Sequence, residues 1–196
     1  DIQNIGYLLE ADQDALTPPN RRLDLRGKIM PNTGAEALSN ALKCSNRVDE
    51  LLVSWNDMSL YCIGTLLLAA KEGKNKMCLP KELDLNNVFQ KYPPNDEDVE
   101  KFAQGLEYNC TKFSKELQIE KISINWDQLP LKGLGHILSV KHPAGPTAID
   151  ISGRTISQDA AISLAEGISG NNVITDFTLD FLRIEPPTEG SHGDGF

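Results

Sequence analysis

Histidine is scarce in this chain: His136, His142 and His192 are its only three among 196 residues. None is spaced with a cysteine or carboxylate as a metal ligand set or an acid–base pair would be, so they read as ordinary surface or half-buried side chains. The four cysteines, Cys44, Cys62, Cys78 and Cys110, share no short spacing and form no CxxC pair. That argues against a zinc site and fits free thiols in a reducing compartment. Catalysis needs a nucleophile, a base and an orienting group, or a metal cluster. No such set is found, so the reading is no enzyme, no catalytic residue, no cofactor and no metal. Gly133-Leu134-Gly135 is only a fragment of a glycine-rich phosphate loop, without the remaining glycine or the strand before it.

Positive charge is also short. Lysine and arginine number 19 against 28 acidic residues, a formal net charge of −9. Sequence-independent nucleic-acid binding needs a basic footprint. An acidic chain favours a neutral or basic protein partner, or simply solubility. No apolar run reaches the ~18 residues of a membrane-spanning helix; Ile63–Ala70, the greasiest stretch, fits a buried helix face. Asn109-Cys110-Thr111 matches the glycosylation acceptor pattern, which at this length arises by chance. The expected compartment is cytoplasmic, with no nucleic-acid or membrane partner.

What the chain does have is repetition. Arg22–Val48 opens on Leu23-Asp24-Leu25, an alternating run that suits a short strand with one buried face. It turns through Arg26-Gly27-Lys28 and ends in a helix with Ala35, Leu38, Ser39 and Leu42 on one side. The apolar–x–apolar start recurs at Leu51, Leu83, Ile122, Ile149 and Phe177, at spacings of 28, 32, 39, 27 and 28 residues. Fifteen residues after a start come Leu38, Leu66, Ile137 and Leu164; twelve after come Ala35, Ile63, Leu134 and Ala161. An apolar residue closes the turn at Met30, Met58, Leu129, Ile156 and Ile184. In the third copy, removing four extra residues near Lys91–Pro94 brings Val99, Phe102, Ala103 and Leu106 into phase. One strand and one helix cannot bury their own apolar face, so each copy needs neighbours. The phasing predicts six parallel strands starting near 23, 51, 83, 122, 149 and 177. It predicts helices near 34–43, 62–71, 97–108, 132–140 and 158–169.

The pattern LDLRGKIM…GAEALSNAL, echoed by IDISGRTI…AAISLAEGI, resembles a leucine-rich repeat of the ribonuclease-inhibitor type over about residues 22–184. The resemblance implies an α/β right-handed solenoid, a horseshoe arc with parallel strands on the concave face and helices on the convex face. It also implies a protein-binding module, with occlusion of a partner enzyme's active site as one mode of action. Such proteins occur in eukaryotic cytosol and among effectors that intracellular bacteria deliver into host cells. The short irregular array resembles the bacterial kind, which would place it in host-cell cytoplasm. The alternative is a recognition domain of a larger effector or signalling protein whose catalytic part lies elsewhere.

Residues 1–21 do not fit the repeat and read as an N-terminal cap or partial repeat. Residues 185–196 have no apolar period and read as a flexible tail or linker. Lys71–Lys81 and Glu107–Glu120 read as insertions, and Gln90–Asp98 as a lengthened turn. Lys141–Thr147 reads as a plain Pro/Gly connection.

Alternation along each strand exposes the residues between the apolar ones. The candidate partner-binding face therefore includes Glu50, Asp84, Asn86, Asn125, Asp150 and Asp180. Four residues after the strand start stand Trp55, Trp126 and Phe181, with both tryptophans of the chain at one repeat position. Aromatics at a strand's end are what an interface anchor looks like. The competing reading is that Trp55 and Trp126 tuck under the following loop as packing residues.

Overall fold

The structure, a computed structural model, describes residues 22–44, 48, 50–70, 76–77, 79–180 and 182–185. The expected cap at 1–21 and the tail beyond 185 lie outside the described residues.

Every start expected from the repeat opens a short strand. These are β1 (Arg22–Asp24), β2 (Glu50–Leu52), β4 (Glu82–Asp84), β5 (Lys121–Ser123), β6 (Ala148–Asp150) and β8 (Asp176–Thr178). Three shorter strands were not expected: β3 (Lys76–Met77), β7 (Thr155–Ile156) and β9 (Arg183–Ile184). The helices are α1 (Asn32–Cys44), α2 (Leu60–Leu67), α3 (Val88–Lys91), α4 (Asp96–Lys112), α5 (Leu131–Val140) and α6 (Gln158–Ile168). The central residues Leu51, Leu83, Ile122 and Ile149 are buried, and β1, β2, β4, β5 and β6 are each followed by a helix whose apolar stripe faces the core.

The solenoid expectation does not hold. The described chain is mixed and mainly helical, and its parallel strands do not join into one sheet. They fall into a three-stranded sheet, β1-β2-β3, and three two-stranded ones, β4-β5, β6-β8 and β7-β9. Two breaks account for this. After β2, the Lys71–Lys81 insertion supplies its own strand, and β3 pairs with β2 where β4 was expected. After β5, a side chain replaces the ladder: the Asp150 N–H donates to Asp127 Oδ1 at 2.8 Å instead of to a strand carbonyl. A horseshoe needs an unbroken ladder from first repeat to last, and here the ladder is cut twice.

Within each sheet the phase is as read. Leu23 lies opposite Leu51, Leu83 opposite Ile122 and Ile149 opposite Phe177. The backbone bond continues one residue past the strand in each case, from Leu25 N to Leu52 O, Leu85 N to Ser123 O and Ile151 N to Thr178 O, at 2.7–2.9 Å. Leu38, Leu66, Phe102, Ile137 and Leu164 are all buried in one hydrophobic cluster. Ala161 departs from the expected phase: it is exposed, while Ala160 and Leu164 take the inner positions.

The helices pack in chain order, α1 on α2, α2 on α4, α4 on α5 and α5 on α6. Glycines set their close approach. A Cβ on Gly64 of α2 would stand 2.2 Å from the Lys101 carbonyl oxygen on α4, and one on Gly133 would stand 2.6 Å from Val99 Cβ. Gly133-Leu134-Gly135 is thus helix-packing sequence, with Gly135 facing Ser163 of α6. Helix α4 runs to Lys112, longer than the phase predicts, so most of the expected second insertion is helix followed by a 3-10 turn at Lys115–Leu117. Its start is fixed by a capping box in which Asn95 and Asp98 bond each other's backbone N–H at 2.9 and 3.0 Å. Among the described residues, no helix is long and apolar enough to cross a membrane.

Candidate functional site

The strands β1, β4 and β6 each show an inner residue flanked by two exposed ones. On β4–β5, Glu82, Asp84, Asn86, Lys121 and Asn125 are exposed. On β6–β8, so are Ala148, Asp150, Ser152, Asp176, Thr178 and Asp180. The predicted polar residues therefore do share one side of their strands, but on two separate sheets. Asp84, Asn86 and Asn125 belong to the first, Asp150 and Asp180 to the second. Asp127 spans the gap between them through Asp150 N. Of Glu50, only the backbone is described, paired in register with Arg22. Phe181 lies outside the described residues.

Two of the candidate carboxylates hold the fold as well as facing solvent. Asp84 Oδ1 accepts from Asn86 N at 3.2 Å and Asn86 Nδ2 at 2.9 Å. Asp150 Oδ1 accepts from Ser152 N at 2.9 Å. Asp24 does the same for Arg26 N at 3.1 Å and adds a bidentate pair to its guanidinium. An aspartate that ends a strand and captures the N–H two residues on is an Asx turn. In sequence it is the Asp of LDLRG, LDLNN and IDISG, a third residue type fixed by the repeat. The side-chain bond from Arg26, reinforced by its N–H, holds the Asp24 carboxyl down at about 2. Bonds from Ser152 lower Asp150 likewise. Serines of the neighbouring strand unit complete the turns: Gly27 N donates to Ser54 Oγ at 3.1 Å and Asp180 N to Ser152 Oγ at 3.0 Å.

The tryptophans part company. Each opens a 3-10 turn, Trp55–Asp57 and Trp126–Gln128. Trp55 is only 9 % exposed and belongs to the main hydrophobic cluster, so it packs under its turn and presents no free ring to a partner. Trp126 is half-buried at the margin of that cluster and keeps part of its indole outside. Strand β4 packs on the Trp55–Asp57 turn, and Lys91 of α3 pairs with Asp57 within it.

Histidine reasoning missed one residue. His142 is buried, 1 % exposed, in the connection after α5. Its Nδ1 accepts from Ala144 N at 3.0 Å, which leaves the proton on Nε2, 3.4 Å from Asn109 Oδ1. Asn109 Oδ1 also receives Ile119 N at 3.0 Å. The ring thus ties α4 to the strand approach and to the 141–147 connection, and burial drives its pKa down to about 4. The same burial of Asn109 inside α4 removes the Asn-Cys-Thr triplet from consideration as a glycan acceptor. Its only sequence signal is a histidine before a proline in a short connection.

An open cleft of about 430 Å³ lies at the starts of α5 and α6, lined by Asp96, Lys132, Arg154, Ser157, Asp159 and Glu185 among others. Two of its charged side chains, Asp96 and Arg154, are committed to a helix start and a turn. Asp96 accepts from Gly133 N at 3.0 Å, and Arg154 Nη1 donates to the carbonyls of Asp127 and Leu129 at 2.6 and 2.8 Å. Among the described residues, no three His, Cys, Asp or Glu side chains group as a metal site. Cys62 is buried against Met30 O at 3.3 Å, and burial raises its thiol pKa, the opposite of a reactive thiolate.

No protein-family model matches the chain, and no curated protein matches it.

Proposed function

We propose that this chain is a protein-binding module that acts by occupying a partner with its outward strand side chains rather than by turning over a substrate. The observation that carries the reading is the split along the strands. Leu83, Ile122 and Ile149 are buried at 2, 7 and 3 %, while Glu82, Asp84, Lys121 and Asp150 beside them are exposed. Asp84 and Asp150 are held rigid by their turns, which reduces the entropy cost of using them in an interface. A neutral or basic protein surface suits this face, with the exposed part of Trp126 as its aromatic element. Nucleic acid does not, because the face repels phosphate.

The test begins with partners captured from lysate and cross-linked to the chain. Asn86→Arg and Asn125→Arg should each weaken a captured partner's binding, since both replace a small polar group in the centre of the face. Glu166→Arg on the helical side should not. Loss of binding with Glu166→Arg, and none with the strand variants, overturns the reading.

A further inference from the structure

Strands β5 and β6 belong to different sheets, and the gap between them is bridged at both ends. At the far end Asp127, just past β5, takes the Asp150 N–H of β6. At the near end the bridge is His142. Asn109 Oδ1 holds the Ile119 N–H shortly before β5 begins at Lys121. The ring lies 3.4 Å from that same oxygen and takes the Ala144 N–H shortly before β6 begins at Ala148. Each approach is tied onward. Glu120 and Lys121 donate to the Lys81 carbonyl beside β4, at 2.8 and 3.1 Å. The Thr147 carbonyl accepts from Thr175 and Asp176 at the start of β8, at 2.7 and 3.1 Å. His142 therefore joins the entry of one strand pair to the entry of the other.

The join tolerates only one charge state. A neutral imidazole accepts through one nitrogen and donates through the other, whereas an imidazolium only donates. With Nδ1 protonated, two donors would face each other across the 3.0 Å now spanned by the Ala144 bond. A full charge would also sit on a side chain that is 1 % exposed. Among the described residues no charge acts on the ring, and burial alone governs its titration. Glu107 and Lys112 of α4, Glu120 beside Ile119 and Lys141 beside the ring are all exposed, and Cys110 next to Asn109 is half-buried. The ring can take a second proton only by leaving its site.

We propose that His142 is an acid-operated latch between the two strand pairs: on protonation the ring swings out, and the 141–147 connection and the Ile119 approach loosen together. The opening is local. The bonds it breaks run from connecting segments to side chains, while the helices stay joined by their apolar stripes and glycine contacts. That acid would also weaken partner binding rests on the reading of these strands as a binding face; the opening itself does not.

Hydrogen exchange at single amides, followed by NMR on the full chain from pH 7.5 to 4.5 with no partner present, tests the latch. The open form titrates near 6.5 and the closed form near 4. After correction for intrinsic exchange rates, protection of the Ala144 and Ile119 N–H groups should therefore fall about seventyfold over this range. Thr175 and Asp176, held by Thr147, should lose protection in step. Leu25 N, bonded to Leu52 O in the β1–β2 sheet, should keep its own. His142→Asn should flatten the pH dependence at Ala144, because its amide oxygen can accept the same bond and does not titrate. Protection at Ala144 and Ile119 that ignores pH overturns the latch. So does a loss shared equally by Leu25, which would be global unfolding, or a pH dependence that survives in folded His142→Asn. The strand variants Asn86→Arg and Asn125→Arg, assayed at neutral pH where the latch is closed, judge the binding face separately.

Discussion

The carbonyl oxygen of Gly135 lies 2.2 Å from where a Cβ on Gly167 would stand. Helices α5 and α6 therefore touch backbone to backbone, and Gly64 of α2 meets the Lys101 carbonyl on α4 in the same way. An atom cannot be added there unless the helices separate, because a carbonyl oxygen cannot swing aside as a side-chain tip can.

Gly167→Ala consequently has a predictable sign. In an exposed helix interior, alanine is favoured over glycine by about 0.5–1 kcal/mol. At this site the added methyl overpacks a fixed contact, and the expected result is a net loss of about 1–3 kcal/mol. Urea unfolding reads the change directly. A midpoint equal to or above that of the wild type would mean that α6 can lift off α5 at little cost.

Leu66→Ala tests the core. Leu66 is fully buried between α2 and its neighbours, so its truncation should cost roughly 2–5 kcal/mol. Hydrogen exchange should show the loss of protection reaching α4, which packs directly on α2. An unchanged melting temperature would be incompatible with the packing described.

How these elements were readable, and where reading stopped, is a matter of range. Leu23, Leu51, Leu83, Ile122, Ile149 and Phe177 each begin a strand because alternation and spacing are local signals that survive in a single sequence. The helices follow from the same period. The continuity of the sheet is not local. It depends on whether the backbone of one strand reaches the next, and that was decided by Lys76-Met77 inside an insertion and by the carboxylate of Asp127. Neither has a periodic signature. The candidate face divides similarly. That Asp84 and Asp150 point outward follows from alternation, but that they close Asx turns is visible only once Asn86 N and Ser152 N are placed. Trp55 and Trp126 occupy equivalent repeat positions, so the sequence could not separate them. Only the fold separates them, burying Trp55 and leaving Trp126 half-buried.

That separation gives the third prediction. Trp55→Ala removes a core indole and should cost about 3–5 kcal/mol of stability, so any loss of binding would accompany unfolding. Trp126→Ala removes a half-buried ring and should cost less. If Trp126 anchors a partner, its truncation should weaken that complex by more than about 2 kcal/mol, close to thirtyfold, at little change in melting temperature. Equal destabilisation by the two variants would contradict the burial difference. Unchanged affinity with Trp126→Ala would remove it from the interface.

His142 makes stability depend on pH in a defined window. The unfolded imidazole titrates near its ordinary value of 6.5, and the folded one is pushed down to about 4 by burial. The folded state thus prefers the neutral ring, whose Nδ1 accepts from Ala144 N. Protonation would turn that acceptor into a donor facing a donor. Between the two values the unfolded chain binds a proton that the folded chain refuses, so stability rises with pH across this window. The contribution is fully present above about 6.5, is lost progressively as pH falls, and changes no further below about 4. At about 1.4 kcal/mol per unit, the total is on the order of 3 kcal/mol. Asp24, held at about 2, loses its contribution only at lower pH, below the ordinary aspartate value of 3.8. His142→Asn isolates the effect, because the Asn oxygen can still accept from Ala144 N and does not titrate. Unfolding free energies of wild type and variant, measured by urea from pH 7 down to about 4.5, should differ most at neutral pH if the ring packs better than the amide. The wild-type curve should then fall towards, or below, the variant curve as pH drops. Parallel curves over that range would show that the ring is not held neutral.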